Sequence, residues 1–286
     1  MRDFVITVNS TVDMPKEWLE EKNVPYLKLT YTMEGETYED MSMDSKAFFD
    51  RLRAGQMAVT SQVNPEEAKV FLEAFVKEGK DVLHLAFSSG LSGTCQSMMM
   101  AGRELAEEYP DAKIIVIDSL CACMGEALLL MQALELKEAG KTMDEIAEWV
   151  ENHKLNVVSL FTVDDLHHLK RGGRVSAVSA IIGTAIKIKP VLHMNMEGKL
   201  EVLGKERGRK KALNAIVEMA KEKSGSWKNE RMLIAHGDCI EDAEYTATLL
   251  KEKLGVEDVY INSVGTVIGS HTGPGLISLF LMGDER

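Results

Sequence analysis

No stretch of this chain is apolar for long enough to cross a bilayer. The longest clean runs, such as Leu276 to Met282, fall far short of the roughly 20 residues a spanning helix needs. The opening residues MRDFVITVNS lack the long apolar core and cleavage site of a secretory signal, which points to a cytoplasmic protein. Positive charge is scarce: 33 Lys and Arg against 45 Asp and Glu leave a formal net charge of −12. Broad contact with nucleic acid needs a basic surface that displaces counterions, so that class is excluded. Cysteine is limited to Cys95, Cys121, Cys123 and Cys239. Cys121 and Cys123 form a C-x-C, but no second pair or nearby histidine completes a metal site. The thiols therefore read as small buried hydrophobes in a reducing compartment, and no metal or cofactor is expected. Neither a G-x-x-x-x-G-K-[ST] phosphate loop nor a G-x-G-x-x-G fingerprint occurs, so the chain should phosphorylate nothing alone.

What is present in quantity is methionine, with 17 residues. Met adapts its shape, which suits irregular cores and pockets for flexible apolar ligands. The run Met98 to Met100 is a candidate lining for such a pocket as well as for the core. A length of 286 residues allows one large domain or two ordinary ones.

The first half alternates strand-like and helix-like stretches. DFVITV, DVLHLAF and KIIVID are continuous apolar runs, as strands buried on both faces of a parallel sheet require. NPEEAKVFLEAFVKEG opens with Asn64, Pro65 and Glu67 in a capping-box arrangement and closes on Gly79, which predicts a helix. TMDEIAEWVENH repeats the pattern with Thr142 and Glu145. Strands alternating with helices indicate an α/β domain. In the second half, NVVSLFTVDDLHHLKRGGRVS predicts a strand, a short helix and a Gly-Gly stop. IKPVLHMNMEGKLEVLGKER predicts a hairpin around MEGK. An amphipathic helix follows from ERGRKKALNAIVEMAKEK, and RMLIAHGD and DVYINSVGTVIG are read as further strands. Hairpin and antiparallel signals suggest a separate α+β domain. The expected division is an N-terminal domain of residues 1–155 and a C-terminal domain of residues 156–286.

SSGLSGTCQS (Ser88–Ser97) follows an apolar strand and opens a helix. Two readings stand side by side. The serines cap the helix, or the unpaired N–H groups and the hydroxyls of Ser88, Ser89, Ser92 and Thr94 form an anion site. NSTVD (Asn9–Asp13), VTSQVNP (Val59–Pro65) and IDSL are read as similar loops. Loops at the carboxyl ends of parallel strands converge on one crevice. His271 falls in the Gly-rich VGTVIGSHTGPG, where an imidazole could donate to an anion. The remaining histidines show no metal spacing and are read as structural. GLSGT (Gly90–Thr94) falls one glycine short of a G-x-S-x-G nucleophile elbow, so a serine hydrolase or acyltransferase using Ser92 is a rival reading. A module binding a small anion such as a sugar phosphate is another.

Together, STVD, TSQ (Thr60–Gln62), SSGLSGTCQS, VIDS (Val116–Ser119), LKRGGRVS, IKPVL, KERGRKKA, AHGD and IGSHTGPG resemble the DegV family of bacterial fatty-acid-binding proteins. The resemblance covers nearly the whole chain. It implies two α/β domains with a long-chain fatty acid in the cleft between them. It also implies that the carboxylate is held by Thr60, Ser61, Ser92 and His271. Ser89, Gly93, Gly265, Arg174 and Arg207 are implied as further ligand or partner contacts. Some members are the non-catalytic acyl-carrying subunit of a two-component fatty acid kinase serving phospholipid synthesis. The implied partner carries the ATP site and a dihydroxyacetone-kinase-like domain, and transient membrane contact is compatible with the role. Two positions depart from the family pattern. Asn9 stands where many relatives carry Asp, and Cys95 where an aromatic residue is common. Both bear on acyl-chain preference.

Overall fold

The structure is a computed structural model that describes residues 2–175 and 188–286. Ser176, the last residue of LKRGGRVS, lies outside the described residues. The chain is α/β, with three sheets. Four parallel strands run in the order β2 (Tyr26–Leu27), β1 (Phe4–Asn9), β6 (Asp81–Ala86) and β7 (Ile114–Asp118). The central strands β1 and β6 are buried almost throughout, as continuous patterning requires, whereas the edge strands are half-buried apart from Ile117 of β7. Helices α3 (Pro65–Lys77) and α4 (Thr94–Glu108) cover one face through Leu72, Val76, Met98 and Leu105. On the other face, Ile6, Val8, Leu83 and Leu85 pack with α1 (Lys16–Glu21), α5 (Met124–Glu138) and α6 (Met143–His153). Both expected capping boxes form. Asn64 Oδ1 accepts from Glu67 N at 2.9 Å, and Thr142 Oγ1 from Glu145 N at 3.3 Å.

A small antiparallel sheet, β4 (Glu36–Glu39), β3 (Thr30–Met33) and β5 (Ala58–Ser61), was not expected. VTSQVNP is therefore half strand, and the loop reading of Thr60 and Ser61 is corrected. Residues 58–61 alternate half-buried and exposed, so no apolar run marks them. They become a strand by pairing with β3, where Tyr31 and Met33 are buried. Helix α2 (Ser45–Arg53) lies between β4 and β5 in the chain and buries Phe48 and Phe49.

The third sheet has six strands in the order β10 (Leu200–Arg207), β9 (Ile188–Met194), β8 (Val157–Thr162), β13 (Ile277–Met282), β11 (Arg231–His236) and β12 (Asp258–Ser263). The predicted hairpin is β9–β10, antiparallel with one bulge near Leu203. Helices α8 (Arg209–Ser224) and α9 (Ile240–Leu254) share a core cluster with one face, and α5 lies against the other. The strand, helix and glycine stop after Asn156 are β8, α7 (Leu166–Gly172) and a left-handed Gly173. All strands of this sheet come from residues 157–282, and those of the other two from residues 4–118. Among the described residues, no helix is long and apolar enough to cross a membrane.

The reading of DVYINSVGTVIG as strand is corrected past Ser263. Residues Thr266–Thr272 form helix α10, so His271 sits on a helix and not in a loop. The cause is distant in sequence. Asp13 Oδ1 accepts from Gly265 N at 2.9 Å, and Asp40 Oδ1 accepts from Thr266 Oγ1 at 2.7 Å and Val267 N at 3.1 Å. Remote carboxylates thus satisfy the free N–H groups of the first turn.

Candidate functional site

Strand alternation builds the floor of the site. On β8, Val158 and Leu160 pack into the α8/α9 cluster, and so do Ile277, Leu279 and Leu281 of β13. Ser159, Phe161, Ser278 and Phe280 therefore face the opposite way. They line a cleft whose empty space, open solvent included, is about 790 Å³. Its walls are mostly apolar: Leu29, Phe87, Leu91, Leu169, Met194 and Leu200, with Val267 and Ile268 from α10. Met98 is wholly buried in the α3/α4 core and Met100 is exposed. The run Met98 to Met100 is thus no lining, and Met194 is the methionine that faces the cavity.

Thr60, Ser61, Ser92 and His271 all line this cavity, as does Arg174. Thr60, His271 and Arg174 also line a second cavity of about 560 Å³, together with Met57, Val59, His168 and Arg171. The polar group therefore lies where the two cavities adjoin. Thr60 Oγ1 and His271 Nε2 are 2.8 Å apart. His271 Nδ1 is buried with no hydrogen-bond partner among the described residues. It is packed against Gly172, whose added Cβ would stand 2.2 Å from it. Burial first, and then the Arg174 charge, lower the His271 pKa to about 4. The imidazole is neutral at pH 7 and carries one N–H. The Arg174 guanidinium is turned onto backbone: Nε donates to Leu91 O at 3.2 Å, and Nη1 donates to Gly172 O.

At Ser92 the helix-tying role is seen, and the position is compatible with a ligand contact. Its Oγ accepts from Thr94 N at 3.2 Å, which ties the start of α4, and the residue also lines the cavity. Ser88 and Thr94 are committed elsewhere. Ser88 Oγ donates to Gly198 O at 2.8 Å, and Thr94 Oγ1 accepts from Val63 N at 3.2 Å. Ser89, Gly93, Gly265 and Arg207 line neither cavity. Ser89 N donates to Asp118 Oδ1 at 3.1 Å. Gly93 admits Gln62, whose Oε1 would lie 2.3 Å from an added Cβ. Gly265 starts α10, and Arg207 is exposed at the end of β10. Asn9 is buried and accepts from Phe87 N at 3.0 Å, and Cys95 is buried in α4. The sequence reading missed Ser159 and Ser278. Their signal was there: one serine at a fixed parity inside VVSLFT and ISLFLM.

A family model described as an uncharacterised protein of the DegV family matches residues 3–284. The chain belongs to the DegV family. A DegV domain-containing protein of Clostridium perfringens is 43% identical over 290 residues, covering 100% of this chain and 99% of that one. A solved DegV-family protein from Thermus thermophilus, described for its fatty acid binding, superposes with a TM-score of 0.88 at 29% identity, over 99% of this chain and 100% of its own. A fatty-acid-binding DegV protein from Streptococcus agalactiae gives 0.88 at 30% identity, with both chains fully covered. In this DegV chain the motifs after β1 and β7 support the site without lining it. Asp13 holds α10, and Asp118 Oδ1 accepts from Ser89 N and Leu120 N, at 3.1 Å each.

Proposed function

We propose that this DegV protein binds one long-chain fatty acid in the apolar cavity and holds its carboxylate with Thr60, Ser61, Ser92 and His271. The observation that carries the reading is an apolar cavity at whose border hydroxyls and a neutral imidazole collect. Burying a CH₂ gains about 0.8 kcal/mol, so a chain of about 16 carbons gains on the order of 12 kcal/mol before losses. Ordering the chain and losing its translation offset much of that. The tail therefore supplies affinity, and the head group needs only enough donors to avoid a stranded charge. In the fitting tautomer, His271 Nε2–H donates to Thr60 Oγ1, and the Thr60 hydroxyl proton is free for the carboxylate. Neutral donors leave the carboxylate nucleophilic, whereas a tight Arg pair would hold its charge firmly.

The chain then acts as a carrier and not as the catalyst. It presents the carboxylate, in the cytoplasm, to a separate kinase subunit with a dihydroxyacetone-kinase-like domain, which makes the acyl phosphate. The second cavity, lined by Thr60, His271 and Arg174, supports access from that side. Arg174 and Arg207 are suited to contact the partner or the phosphate. A domain division near residue 155 puts the ligand between the two units. Three features weigh against a serine hydrolase. Ser92 is bonded to Thr94, His271 is bonded to Thr60, and no carboxylate among the described residues meets His271 Nδ1.

Native mass spectrometry of the purified protein tests the carrier reading. A retained fatty acid mass, lost on denaturation, is expected. Addition of a fatty acid kinase and ATP should then yield acyl phosphate, and no product should form without the kinase. Covalent labelling of Ser92 by a fluorophosphonate, with no retained or added lipid, would overturn the proposal in favour of the hydrolase.

A further inference from the structure

Among the hydroxyls around the cavity, one is buried and unpaired. Ser159 is 4% exposed and its Oγ has no hydrogen-bond partner among the described residues. Two buried hydroxyls of α10 are satisfied: Ser270 Oγ donates to Thr266 O at 2.6 Å, and Thr272 Oγ1 to Ile268 O at 3.1 Å; Thr162 Oγ1, further along β8, is also unpaired but does not line the cavity. A small residue at position 159 has a packing reason. A Cβ on Gly125 of α5 would stand 3.2 Å from Ser159 Oγ and 3.3 Å from Phe280 Cδ1, so the helix passes close over the sheet. Alanine would meet that need without burying an unpaired hydroxyl, which is unfavourable. A second serine lies beside it. Ser278 is 5% exposed, faces the same cavity, and lies diagonally across the β8–β13 ladder, since Ser159 pairs with Phe280 and Ser278 with Phe161.

We propose that Ser159 and Ser278 read an oxygen on the acyl chain, so that the cavity takes fatty acids bearing a mid-chain hydroxyl. The inference rests on the fatty-acid reading above and names the class of acid. Ser159 lies opposite Phe280, four residues along β13 from Leu276, about 13 Å at ~3.3 Å per residue. Leu276 follows the loop that leaves α10, the helix carrying His271. An oxygen reaching Ser159 thus belongs to the body of the chain and not to the carbons next to the carboxylate. A chain hydroxyl there both donates to and accepts from a serine, and it removes the cost of the unpaired Oγ on the protein side. A fully hydrocarbon chain leaves that cost in place.

The test is a set of dissociation constants on the full chain, by displacement of a fluorescent fatty acid. The probes are ricinoleic acid against oleic acid, and a positional series of mid-chain hydroxystearic acids against stearic acid. Wild type should bind at least one hydroxy acid as tightly as its parent or more tightly. Ser159→Ala should weaken that acid by roughly fivefold to tenfold and leave the parent unchanged or tighter. Ser278→Ala provides an independent second variant with the same direction. Equal ratios of hydroxy acid to parent in wild type and both variants, with the parent still bound, would overturn the hydroxyl inference alone. Failure of both parent and hydroxy acids to bind wild type would overturn the fatty-acid reading and this inference with it.

Discussion

Gly172→Ala tests the head-group site without removing a single donor. The added Cβ would stand 2.2 Å from His271 Nδ1, where ordinary contact begins near 3.4 Å. The ring must give way by more than 1 Å. It cannot retreat along its own axis, because Thr60 Oγ1 is already at 2.8 Å from Nε2. It must therefore swing out, which breaks the Thr60 bond and the positioning that bond gives to the ligand's carboxylate. A neutral hydrogen bond contributes about 1 kcal/mol and one to a charged group about 1.5–3 kcal/mol. A combined loss of about 2 kcal/mol raises Kd roughly thirtyfold. Stability should hold, because alanine is the better helix former and Gly172 ends α7. The assay is fatty acid displacement on four proteins: wild type, Gly172→Ala, His271→Ala and the double variant. With the imidazole gone the Cβ strikes nothing, so the double variant should bind like His271→Ala alone. Wild-type affinity in Gly172→Ala, or additive losses in the double variant, would refute the role given to the imidazole.

Ser92→Ala combined with His271→Ala should weaken fatty acid binding or its phosphorylation at least tenfold, measured by displacement and by acyl phosphate formation; unchanged values for both would remove these residues from the site. Asp40→Ala leaves Ser10 Oγ, Thr266 Oγ1 and Val267 N without their acceptor, and urea unfolding should show a loss of about 2–4 kcal/mol. The two buried imidazoles should each cost stability in acid, against the opposite contribution of the buried Asp13 and Glu126 carboxyls, whose pKa values burial raises. Above the ordinary histidine value of 6.5 both states are neutral at His271 and His84, whose folded pKa values are about 4 and about 3. Below 6.5 the unfolded chain takes protons the folded state refuses, so each site loses about 1.4 kcal/mol per pH unit down to its folded value. His271→Asn should make the urea midpoint less sensitive between pH 6.5 and 4, and an unchanged slope would contradict the burial of a neutral ring.

What the sequence made legible was local. Asn64 and Glu67 lie three residues apart, and so do Thr142 and Glu145. A box closed within one turn needs nothing from elsewhere. The apolar runs of β1 and β6 likewise carry their burial in their composition, whereas the similar run of β7, at the sheet edge, stays half-buried but for Ile117. The features that failed were set by distant partners. Ala58–Ser61 has no strand pattern of its own and depends on Tyr31 and Met33 across the ladder. Met98 and Met194 have the same chemistry, and only the packing of α4 against α3 and the position of β9 decide that the first is core and the second faces the cavity. Ser159 was visible as a polar residue in an apolar strand, but its meaning required knowing which face of that strand was open.

Helix α10 concentrates this nonlocal information. At seven residues it is too short to persist by its own propensity, so its place is fixed by what it touches. Its first turn is held by Asp13 and Asp40, and Val267 and Ile268 wall the cavity. Gly269 admits Phe48 and Phe49, whose ring carbons would lie 3.0 Å from an added Cβ, and His271 meets Thr60 on β5. Every one of these anchors outside α10 comes from residues 13–60, while α10 is joined in the chain to β12 and β13 of the six-stranded sheet. The imidazole is held between Thr60 of β5 on its Nε2 side and Gly172 of α7 on its Nδ1 side, and the polar end of the cavity exists only while both are in place. That also accounts for the composition of IGSHTGPG. Its glycines read as loop in the sequence, yet Gly269 is a glycine of close approach, small because two phenylalanine rings press on the helix beside the histidine.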